Sequence, residues 1–411
     1  MEPDIVIVGG GAIGVSTAYE LALRGARVTL LERGEALASG CSAGNAGLIC
    51  PSHSMPLATP AALRQGLRSL LRPDTPFSLR RRPAGLPWLA RFAAACSLER
   101  ADRGMRAIRG LSLASLDLHA QLAAHGTGFE RRGTLDVYEL EESFASARRE
   151  AETSGLRARV LSAEEACGLE PALRPGLAGA VFYPDDAHLD PLRYVHAIGE
   201  AAATAGADLR TGTEVRALRR RNGAIIVETR EREYRAETVV LAAGAWTARL
   251  ARGLGIFVPL TGGKGYHVDL TPTAGDPRVP VWIHEARLVA TPLAGRLRIA
   301  GTLELPGLDL SVSMARIEAI RRAAGRVLLG QQDRRGGEIW AGLRPCTPDG
   351  LPVIGRPVRV PALILATGHA MKGLSLAPVT ARLVSELVAG EPPSHDLAPF
   401  SPDRFRSYFP R

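Results

Sequence analysis

The amino-acid sequence predicts an α/β protein in which a discontinuous Rossmann-like domain is combined with an α+β domain that has a mostly antiparallel sheet. Three observations support this fold class. A strand, a glycine-rich turn, a helix and a second strand follow one another over residues 4–31. Two further strands that end in small residues stand in the middle of the chain and near its C-terminal end. Between them, residues 264–302 alternate apolar strands with turns, a pattern typical of antiparallel sheets.

The composition is that of an ordinary globular protein with two domains or one large composite fold. The 411 residues are 46% hydrophobic and 23% charged, so disorder is not expected. The five cysteines include no C-x-x-C pair, which argues against a disulfide framework or a zinc ribbon, and we expect no bound metal. The N-terminus is acidic, and no apolar run reaches the roughly 18 residues that cross a bilayer, so a cytoplasmic location is expected.

The basic character of the chain points to an anionic partner. The net charge is +9, but the arginines are spread along the whole chain, which disfavours nucleic acid and favours an anionic cofactor or acidic lipid. Between Leu63 and Phe92, arginines alternate with leucines in a pattern that can lie on the inner face of a membrane. A solvated helical face explains the same pattern, and both interpretations stay open.

The N-terminal unit carries a dinucleotide-binding motif. Gly9-x-Gly11-x-x-Gly14 follows an apolar strand and opens a helix. The first glycine permits a tight turn, the second lets a pyrophosphate approach the backbone, and the third allows close helix–strand packing. The helix N-terminus then presents its partial positive charge to the phosphates. Glu32, at the end of the second strand, is expected to accept hydrogen bonds from an adenosine ribose.

Two later segments favour a flavin dinucleotide over a nicotinamide one. Val239 to Trp246 is an apolar strand ending in small residues, and residues 350–355 form a glycine-rich pair with residues 367–369 before the last helix. A nicotinamide enzyme needs no such pair, whereas the helix N-terminus can stabilise negative charge on a reduced flavin. The expected division of the chain is a cofactor-binding domain of residues 1–85, 160–257 and 341–411, and a substrate-binding domain of residues 86–159 and 258–340.

Several blocks, in one order over nearly the whole chain, carry a specific resemblance. They are Gly9-Gly10-Gly11-Ala12-Ile13-Gly14, Ser42-Ala43-Gly44-Asn45-Ala46-Gly47 with Pro51, Lys264-Gly265-Tyr266, Gly342-Leu343-Arg344-Pro345 with the following residues up to Gly355, and Gly368-His369. The chain therefore resembles the D-amino-acid oxidase and glycine oxidase superfamily of FAD-dependent oxidoreductases, and in particular the bacterial D-amino-acid dehydrogenases.

The resemblance implies noncovalent FAD and a small amino-acid substrate. Arg344 corresponds to the arginine that grips the substrate carboxylate, and we place it at the end of a strand that Pro345 terminates. Tyr266 falls where the family often has an active-site tyrosine, and His53 is a further catalytic candidate. His284 and His369 are weaker ones, of which His369 is expected nearer the flavin. The residues expected to bind FAD are Gly9, Gly11, Ala12, Ile13, Gly14, Glu32, Arg33, Ser42, Ala43, Asn45, Ala46, Gly47, Leu48, Val215, Ala243, Gly244, Trp246, Gly265, Arg344, Gly368, His369, Lys372, Gly373, Leu374 and Ser375.

The resemblance also implies a reaction. A hydride would pass from the α-carbon of a D-amino acid to flavin N5, and the imino acid would hydrolyse to a 2-oxo acid and ammonia. A quinone or another respiratory carrier, rather than oxygen, is the expected electron acceptor. Two alternatives within the superfamily remain: a D-proline or hydroxy-D-proline dehydrogenase, and a glycine or sarcosine oxidase. A flavin-binding subunit or tRNA-binding flavoprotein without catalysis is a further alternative, which the presence of Arg344 disfavours.

Overall fold

The computed structural model describes residues 3–69, 77–79, 85–305 and 307–408. In these ranges the helices are α1 (Ala12–Leu23), α2 (Pro60–Ser69), α3 (Leu86–Ala95), α4 (Leu98–Leu122), α5 (Glu141–Thr153), α6 (Ala163–Leu169), α7 (Pro191–Thr204), α8 (Thr247–Arg252), α9 (Met314–Val327) and α10 (Ala377–Ala389). The strands are β1 (Ile5–Val8), β2 (Val28–Leu31), β3 (Leu48–Ile49), β4 (Phe77–Leu79), β5 (Thr134–Tyr138), β6 (Arg159–Leu161), β7 (Gly179–Tyr183), β8 (Ala187–His188), β9 (Asp208–Arg210), β10 (Ala217–Arg221), β11 (Ala224–Glu228), β12 (Glu233–Ala236), β13 (Thr238–Leu241), β14 (Thr261–Leu270), β15 (Val281–Ile283), β16 (Leu288–Leu293), β17 (Arg296–Leu305), β18 (Glu338–Cys346), β19 (Val353–Gly355) and β20 (Leu363–Thr367).

The first sheet confirms the Rossmann-like prediction. Its six strands lie in the order β19-β20-β13-β1-β2-β9 and come from three separated parts of the chain. All contacts between them are parallel except that of β19 with β20. One face packs against α1, α7 and α10 in an apolar core, and the other packs against the three-stranded sheet β10-β11-β12. Cover on both faces explains why β1 and β2 are apolar at nearly every position.

The second sheet is the mostly antiparallel one that the sequence predicts. Its strands follow the order β18-β14-β17-β16-β15-β5-β7-β6, and β4 pairs with β17 outside this path. Only β15 with β5 and β4 with β17 are parallel. One face is buried under α6 and α9, which leaves the other face turned towards the first sheet.

The strand that carries Arg344 is longer than expected. β18 runs on to Cys346, and Pro345 pairs in register with Gly262 of β14. The prediction that Pro345 ends regular pairing is therefore wrong. β18 is the edge strand of its sheet, where the missing N–H of a proline can face away from the ladder at no cost in hydrogen bonds.

Sheet membership differs from the expected domain division at four strands. β4 lies within residues 1–85, yet it pairs with β17 of the second sheet, and β6 crosses the boundary at residue 160 and pairs with β7. β7 lies within residues 160–257, which were assigned to cofactor binding, yet it pairs with β5 and β6 in the second sheet. β18 crosses the boundary at residue 341 and also belongs to the second sheet. We therefore propose moving β4, β6, β7 and the whole of β18 to the substrate-binding domain and keeping the rest of the division.

Candidate active site

A large cavity of about 1170 Å³ runs between the two sheets. It extends from the carboxyl ends of β1, β2 and β13 to the face of the second sheet that α6 and α9 do not cover. Pockets for drug-sized ligands measure about 300–1,000 Å³, so this cavity has room for a dinucleotide and a small second molecule. Its position at the strand ends is where α/β sheets bind their ligands.

Most residues predicted to bind the cofactor border the cavity. They are Gly9, Gly11, Ala12, Ile13, Glu32, Arg33, Ser42, Asn45, Ala46, Leu48, Val215, Ala243, Gly244, Trp246, Arg344, His369, Lys372, Gly373, Leu374 and Ser375. Of the residues predicted to act on the substrate, Arg344 and His53 border the cavity, whereas Tyr266 does not. Both ends of the predicted site thus open into one space.

Five predicted cofactor residues lie behind the cavity wall instead: Gly14, Ala43, Gly47, Gly265 and Gly368. A β-carbon at Gly14 would overlap the carbonyl oxygen of the first motif glycine, so Gly14 sets the packing of α1 on β1. Ala43 packs against the core around α1, and its carbonyl oxygen accepts a hydrogen bond from Arg298 Nη1 at 2.6 Å. A β-carbon at Gly265 would overlap the guanidinium of Arg344. These residues shape the site without bordering it.

The phosphate end of the cavity has the geometry that the glycine motif predicts. The backbone N–H of Ala12 donates to Ser42 Oγ at 2.9 Å, which brings the second glycine-rich block onto the start of α1. A β-carbon at Gly11 would lie 2.9 Å from the same Ser42 Oγ. The N-terminus of α1 therefore borders the cavity with bare backbone, as pyrophosphate binding requires.

Glu32 is already engaged by the protein. Its Oε2 accepts from the N–H of Gly10 at 2.6 Å, and its Oε1 accepts from the N–H of Gly34 and from Ser39 Oγ, both at 2.8 Å. An ionised carboxylate has about four acceptor positions, so about one is left for a ribose hydroxyl. The carboxylate therefore serves mainly to hold the loop after β2 in place, a role that the sequence motif did not reveal.

A cation–π pair lies at the cofactor end of the cavity. The guanidinium of Arg33 lies 3.6 Å from the ring centroid of Trp246. The two residues follow β2 and β13, which both flank β1 in the parallel sheet. Each residue was predicted separately from the sequence to bind the cofactor, and the strand order of the sheet brings the two side chains together.

Arg344 is a partly buried cation at the other end of the cavity. Its Nη1 donates to the carbonyl oxygen of Thr302 at 2.8 Å. Burial lowers the pKa of Arg344, and the thiols of Cys346 and Cys41 are the groups that oppose this shift. Among the described residues no carboxylate lies within 4.0 Å of the guanidinium. Since arginine stays charged in proteins, the cavity offers a partly buried cation that an anionic ligand can pair with.

Thr302 holds Arg344 through an unusual backbone conformation that the sequence did not indicate. β17 has one extra residue between the positions that pair with Tyr266 and Lys264, which makes a β-bulge at Thr302. The φ angle of Thr302 is 58°, a region that β-branched residues rarely adopt. The Oγ1 of Thr302 is buried without a hydrogen-bond partner. Strain and an unsatisfied hydroxyl at one residue are typical of a functional site.

The prediction that Tyr266 contacts the substrate is wrong. Its side chain is 1% exposed and packs in the core on the far side of the second sheet. Its hydroxyl donates to Glu304 Oε2 at 3.1 Å. Side chains alternate between the two faces of a strand, so Tyr266 and Lys264 share the core face of β14, while Gly265 faces Arg344.

His53 borders the cavity, but both of its ring nitrogens face polar groups of the protein. Nε2 lies 3.2 Å from Asp136 Oδ2, and Nδ1 lies 2.8 Å from Ser52 Oγ, which in turn donates to Asp186 Oδ2. Burial lowers the pKa of His53, yet the carboxylates of Asp136 and Asp186 outweigh it and the net shift is upward. His53 is therefore placed to hold a proton within this network rather than to remove one from a substrate. No motif in the sequence singles out the two aspartates.

The other candidate histidines have structural partners. His369 borders the cavity, and its Nε2 lies 3.0 Å from Thr380 Oγ1. Burial lowers the pKa of His369 to about 3, so the ring is neutral at physiological pH. The ring of His284 packs at a tilt of 36° against that of Tyr138, with centroids 4.9 Å apart, and His284 does not border the cavity.

We predict that Asp186→Asn changes the pH dependence of stability. Burial raises the pKa of Asp186 from 3.8 to about 6, against the opposing effects of His53 and Ser52. A raised pKa means that the folded protein loses stability as pH rises from about 4 through 6, whereas asparagine cannot ionise. Between pH 4 and pH 7, the free energy of unfolding of Asp186→Asn should therefore increase relative to that of the wild type by up to about 3 kcal/mol.

Urea denaturation at several pH values measures this difference. Asp185→Asn is the matched control, because Asp185 is the exposed neighbour in the chain. If the Asp186→Asn and wild-type curves stay parallel across this pH range, Asp186 does not bind the proton that its burial implies.

Comparison with known proteins agrees with this geometry. A family model described as FAD dependent oxidoreductase matches residues 4–387. A protein named D-amino acid dehydrogenase from Paramagnetospirillum magneticum is 34% identical, over 98% of this chain and 99% of that protein. One named D-amino acid dehydrogenase 2 from Ralstonia nicotianae is 35% identical, over 97% and 99%. The crystal structure of glycine oxidase from Geobacillus kaustophilus superposes with a TM-score of 0.80 at 27% identity, over 98% of both chains.

Proposed function

Because this chain belongs to the family of FAD-dependent oxidoreductases, we propose that it oxidises a D-amino acid to a 2-oxo acid and ammonia. The observation that carries this proposal is the partly buried guanidinium of Arg344, which borders the cavity that the dinucleotide motif also borders and has no carboxylate within 4.0 Å among the described residues. A substrate carboxylate would supply the missing charge. The names of the curated relatives support the choice of a D-amino acid within that class.

The chemistry that FAD supplies when bound is acceptance of a hydride from the substrate α-carbon. The task of the chain is to hold that carbon in a fixed place. The planar fork of Arg344 can bind a carboxylate through two parallel hydrogen bonds, and the carbonyl oxygen of Thr302 fixes the fork itself. Fixing one end of a small molecule in this way contributes to catalysis by orientation.

Part of the cavity wall is apolar. Trp282, Val289 and Trp340 border the cavity from the open face of the second sheet. They lie in one row of paired residues that crosses β15, β16, β17, β14 and β18. Since both nitrogens of His53 face other groups, we assign no side-chain base to the amine, which would lose its proton on binding. An apolar environment favours this loss because it disfavours the charged ammonium.

An anaerobic flavin-bleaching screen tests the proposal. The purified holoprotein would be mixed with D-amino acids, their L-enantiomers, glycine, sarcosine and hydroxy-D-proline. Reduction by D-amino acids alone is the expected result. Preference for glycine or sarcosine, or for the cyclic amines, would replace the proposal by one of the two alternatives within the superfamily. Failure of every amine would favour a flavin-binding protein without catalysis.

We also propose that the acceptor is a quinone at a membrane surface. Four exposed apolar side chains alternate along one described stretch: Leu308, Leu310, Val312 and Met314. In the sequence, the arginine-rich segment between Leu63 and Phe92 favours the same membrane contact. Much of that segment, namely residues 70–76 and 80–84, lies outside the described residues. Among the described helices, none is long and apolar enough to cross a bilayer, so the contact proposed is with the surface only.

The expected result is that a quinone embedded in anionic lipid vesicles reoxidises the reduced flavin faster than dissolved oxygen does. Vesicles of zwitterionic lipid with the same quinone should be less effective, because they lack the charge that attracts a basic protein. Stopped-flow reoxidation measures all three rates. Rapid, stoichiometric hydrogen peroxide formation would make the protein an oxidase, and equal rates with both lipids would remove the membrane contact.

A further inference from the structure

Arg287 borders the same cavity as Arg344 and is not used by the mechanism above. We propose that Arg287 binds a second carboxylate, so that the preferred substrates are D-amino acids with an acidic side chain. This inference rests on the proposed function and names the substrate class for it.

The position of Arg287 relative to Arg344 follows from the sheet. Arg287 ends the turn between β15 and β16, directly before Leu288, which pairs with Gly301 of β17. A β-carbon at Gly301 would lie 2.6 Å from the carbonyl oxygen of Arg287, so the two backbones are in close contact. The next residue of β17 is Thr302, whose carbonyl oxygen accepts the hydrogen bond from Arg344. Arg344 thus reaches Thr302 itself, and the backbone of Arg287 contacts the preceding residue of the same strand, Gly301.

The backbone of Arg287 is held in a costly conformation. Its φ angle is 52°, in the left-handed region that non-glycine residues seldom adopt. The neighbouring Thr302 has φ 58°. Two such residues side by side at the wall of one cavity are what a functional constraint on the backbone would produce.

The side chain of Arg287 is exposed to solvent, and its guanidinium has no ion-pair or hydrogen-bond partner in the described part of the chain. No carboxylate lies within 4.0 Å of it, and its side chain makes no hydrogen bond to a described residue. The nearest acid in sequence, Glu285, accepts hydrogen bonds from the backbone N–H groups of Glu139 and Leu140 at 3.0 and 3.3 Å. Desolvation by the surrounding protein lowers the pKa of Arg287, and the nearby Glu285 opposes this shift. Arginine keeps its charge, which Glu285 offsets only in part.

Thr302 supplies a second donor between the two arginines. Its Oγ1 is buried, faces no hydrogen-bond partner, and belongs to a residue that borders the cavity. A guanidinium and a hydroxyl together match the acceptor oxygens of a carboxylate. A substrate with carboxylates at both ends would satisfy Arg344 with one and Arg287 and Thr302 with the other. Glu150 favours a different substrate class. It borders the cavity from α5 and would attract a basic side chain instead of an acidic one.

Isosteric substrate pairs test the proposal. Stopped-flow flavin reduction would compare D-glutamate with D-glutamine, and D-aspartate with D-asparagine, in the wild type and in Arg287→Gln. The acids should be preferred by the wild type, and Arg287→Gln should lower their specificity constants roughly ten- to hundredfold, as expected for loss of a charged hydrogen bond. The amides should change by no more than about twofold. Arg322→Gln is the control, because Arg322 is exposed on α9 away from the cavity.

Equilibrium binding gives a second readout that does not need turnover. Calorimetry would compare glutarate with its monoamide, glutaramate, on the holoprotein. Glutarate should bind more tightly to the wild type, and Arg287→Gln should remove the difference. Equal binding of the two, or a substrate preference for D-lysine and D-arginine through Glu150, would overturn the proposal. If D-alanine is oxidised but acids show no advantage, only the inference on Arg287 fails. If no D-amino acid is oxidised, the proposed function fails and the glutarate comparison still tests the anion site.

Discussion

Arg344→Lys should lower the specificity constant for the best D-amino acid roughly thirtyfold to several-thousandfold, because losing the matched partner of a buried charge costs about 2–5 kcal/mol. Lysine keeps the positive charge but presents one point of charge in place of a planar five-donor fork. It cannot bind a carboxylate through two parallel bonds and also donate to the carbonyl oxygen of Thr302. We therefore expect both a higher apparent Michaelis constant and slower flavin reduction.

The decarboxylated amine of the same substrate separates orientation from a general defect. It lacks the group that Arg344 binds, so it should be a poor substrate for the wild type and little changed by the substitution. Stopped-flow flavin reduction with both compounds makes the comparison, and Arg322→Lys serves as the control. If Arg344→Lys reduces with the amino acid at the wild-type rate, Arg344 does not hold the carboxylate and the proposed function loses its main support.

Glu32→Ala should weaken FAD binding at least tenfold. Three donors lose their acceptor, namely the N–H groups of Gly10 and Gly34 and the hydroxyl of Ser39. A hydrogen bond to a charged group contributes about 1.5–3 kcal/mol, and about 1.4 kcal/mol corresponds to a factor of ten in affinity. Because Gly10 lies within the phosphate-binding turn, this loss falls on the loop that would hold the cofactor.

Titration of FAD into the apoprotein measures the affinity, and thermal unfolding of the apoprotein reports on the loop alone. Glu32→Gln should fall between the wild type and Glu32→Ala, since an amide keeps one acceptor oxygen of the two. Glu35→Ala is the matched control, because Glu35 is an exposed acid in the same loop. An unchanged FAD affinity in Glu32→Ala would show that neither the loop nor the ribose depends on this carboxylate.

The sequence was sufficient where function depends on local chain order. The glycine motif needs only a strand, a turn and a helix in succession, so residues 4–31 predicted the turn, the helix start and the acidic residue after β2. The block around Arg344 could also be recognised from the sequence, because Gly265 and Arg344 each fall in a motif that resembles those of known flavoenzymes. For Arg344 the substrate contact itself stays a prediction, which its burial beside the cavity supports.

Distant pairing and local distortion were beyond the sequence. Tyr266 was misplaced because the face that a strand residue occupies depends on its pairing partners, and a shift of one residue exchanges the two faces. The bulge that gives Thr302 its φ of 58° follows from register between β14 and β17, which no local pattern encodes. Likewise Asp136 and Asp186 meet His53 only because β5 and the turn before β8 pack against the loop after β3.

The amino-acid sequence by itself thus determined the fold class, the phosphate-binding turn and the residue types at both ends of the cavity, since short-range propensity and motif order suffice for these. Only the tertiary structure decided which side chains face the cavity. It placed Arg344 over Gly265, turned Tyr266 into the core, and brought Arg287 and Thr302 together at the wall. The physical reason is that these contacts depend on strand register and on backbone strain, and both are set by packing of the whole sheet rather than by any one segment.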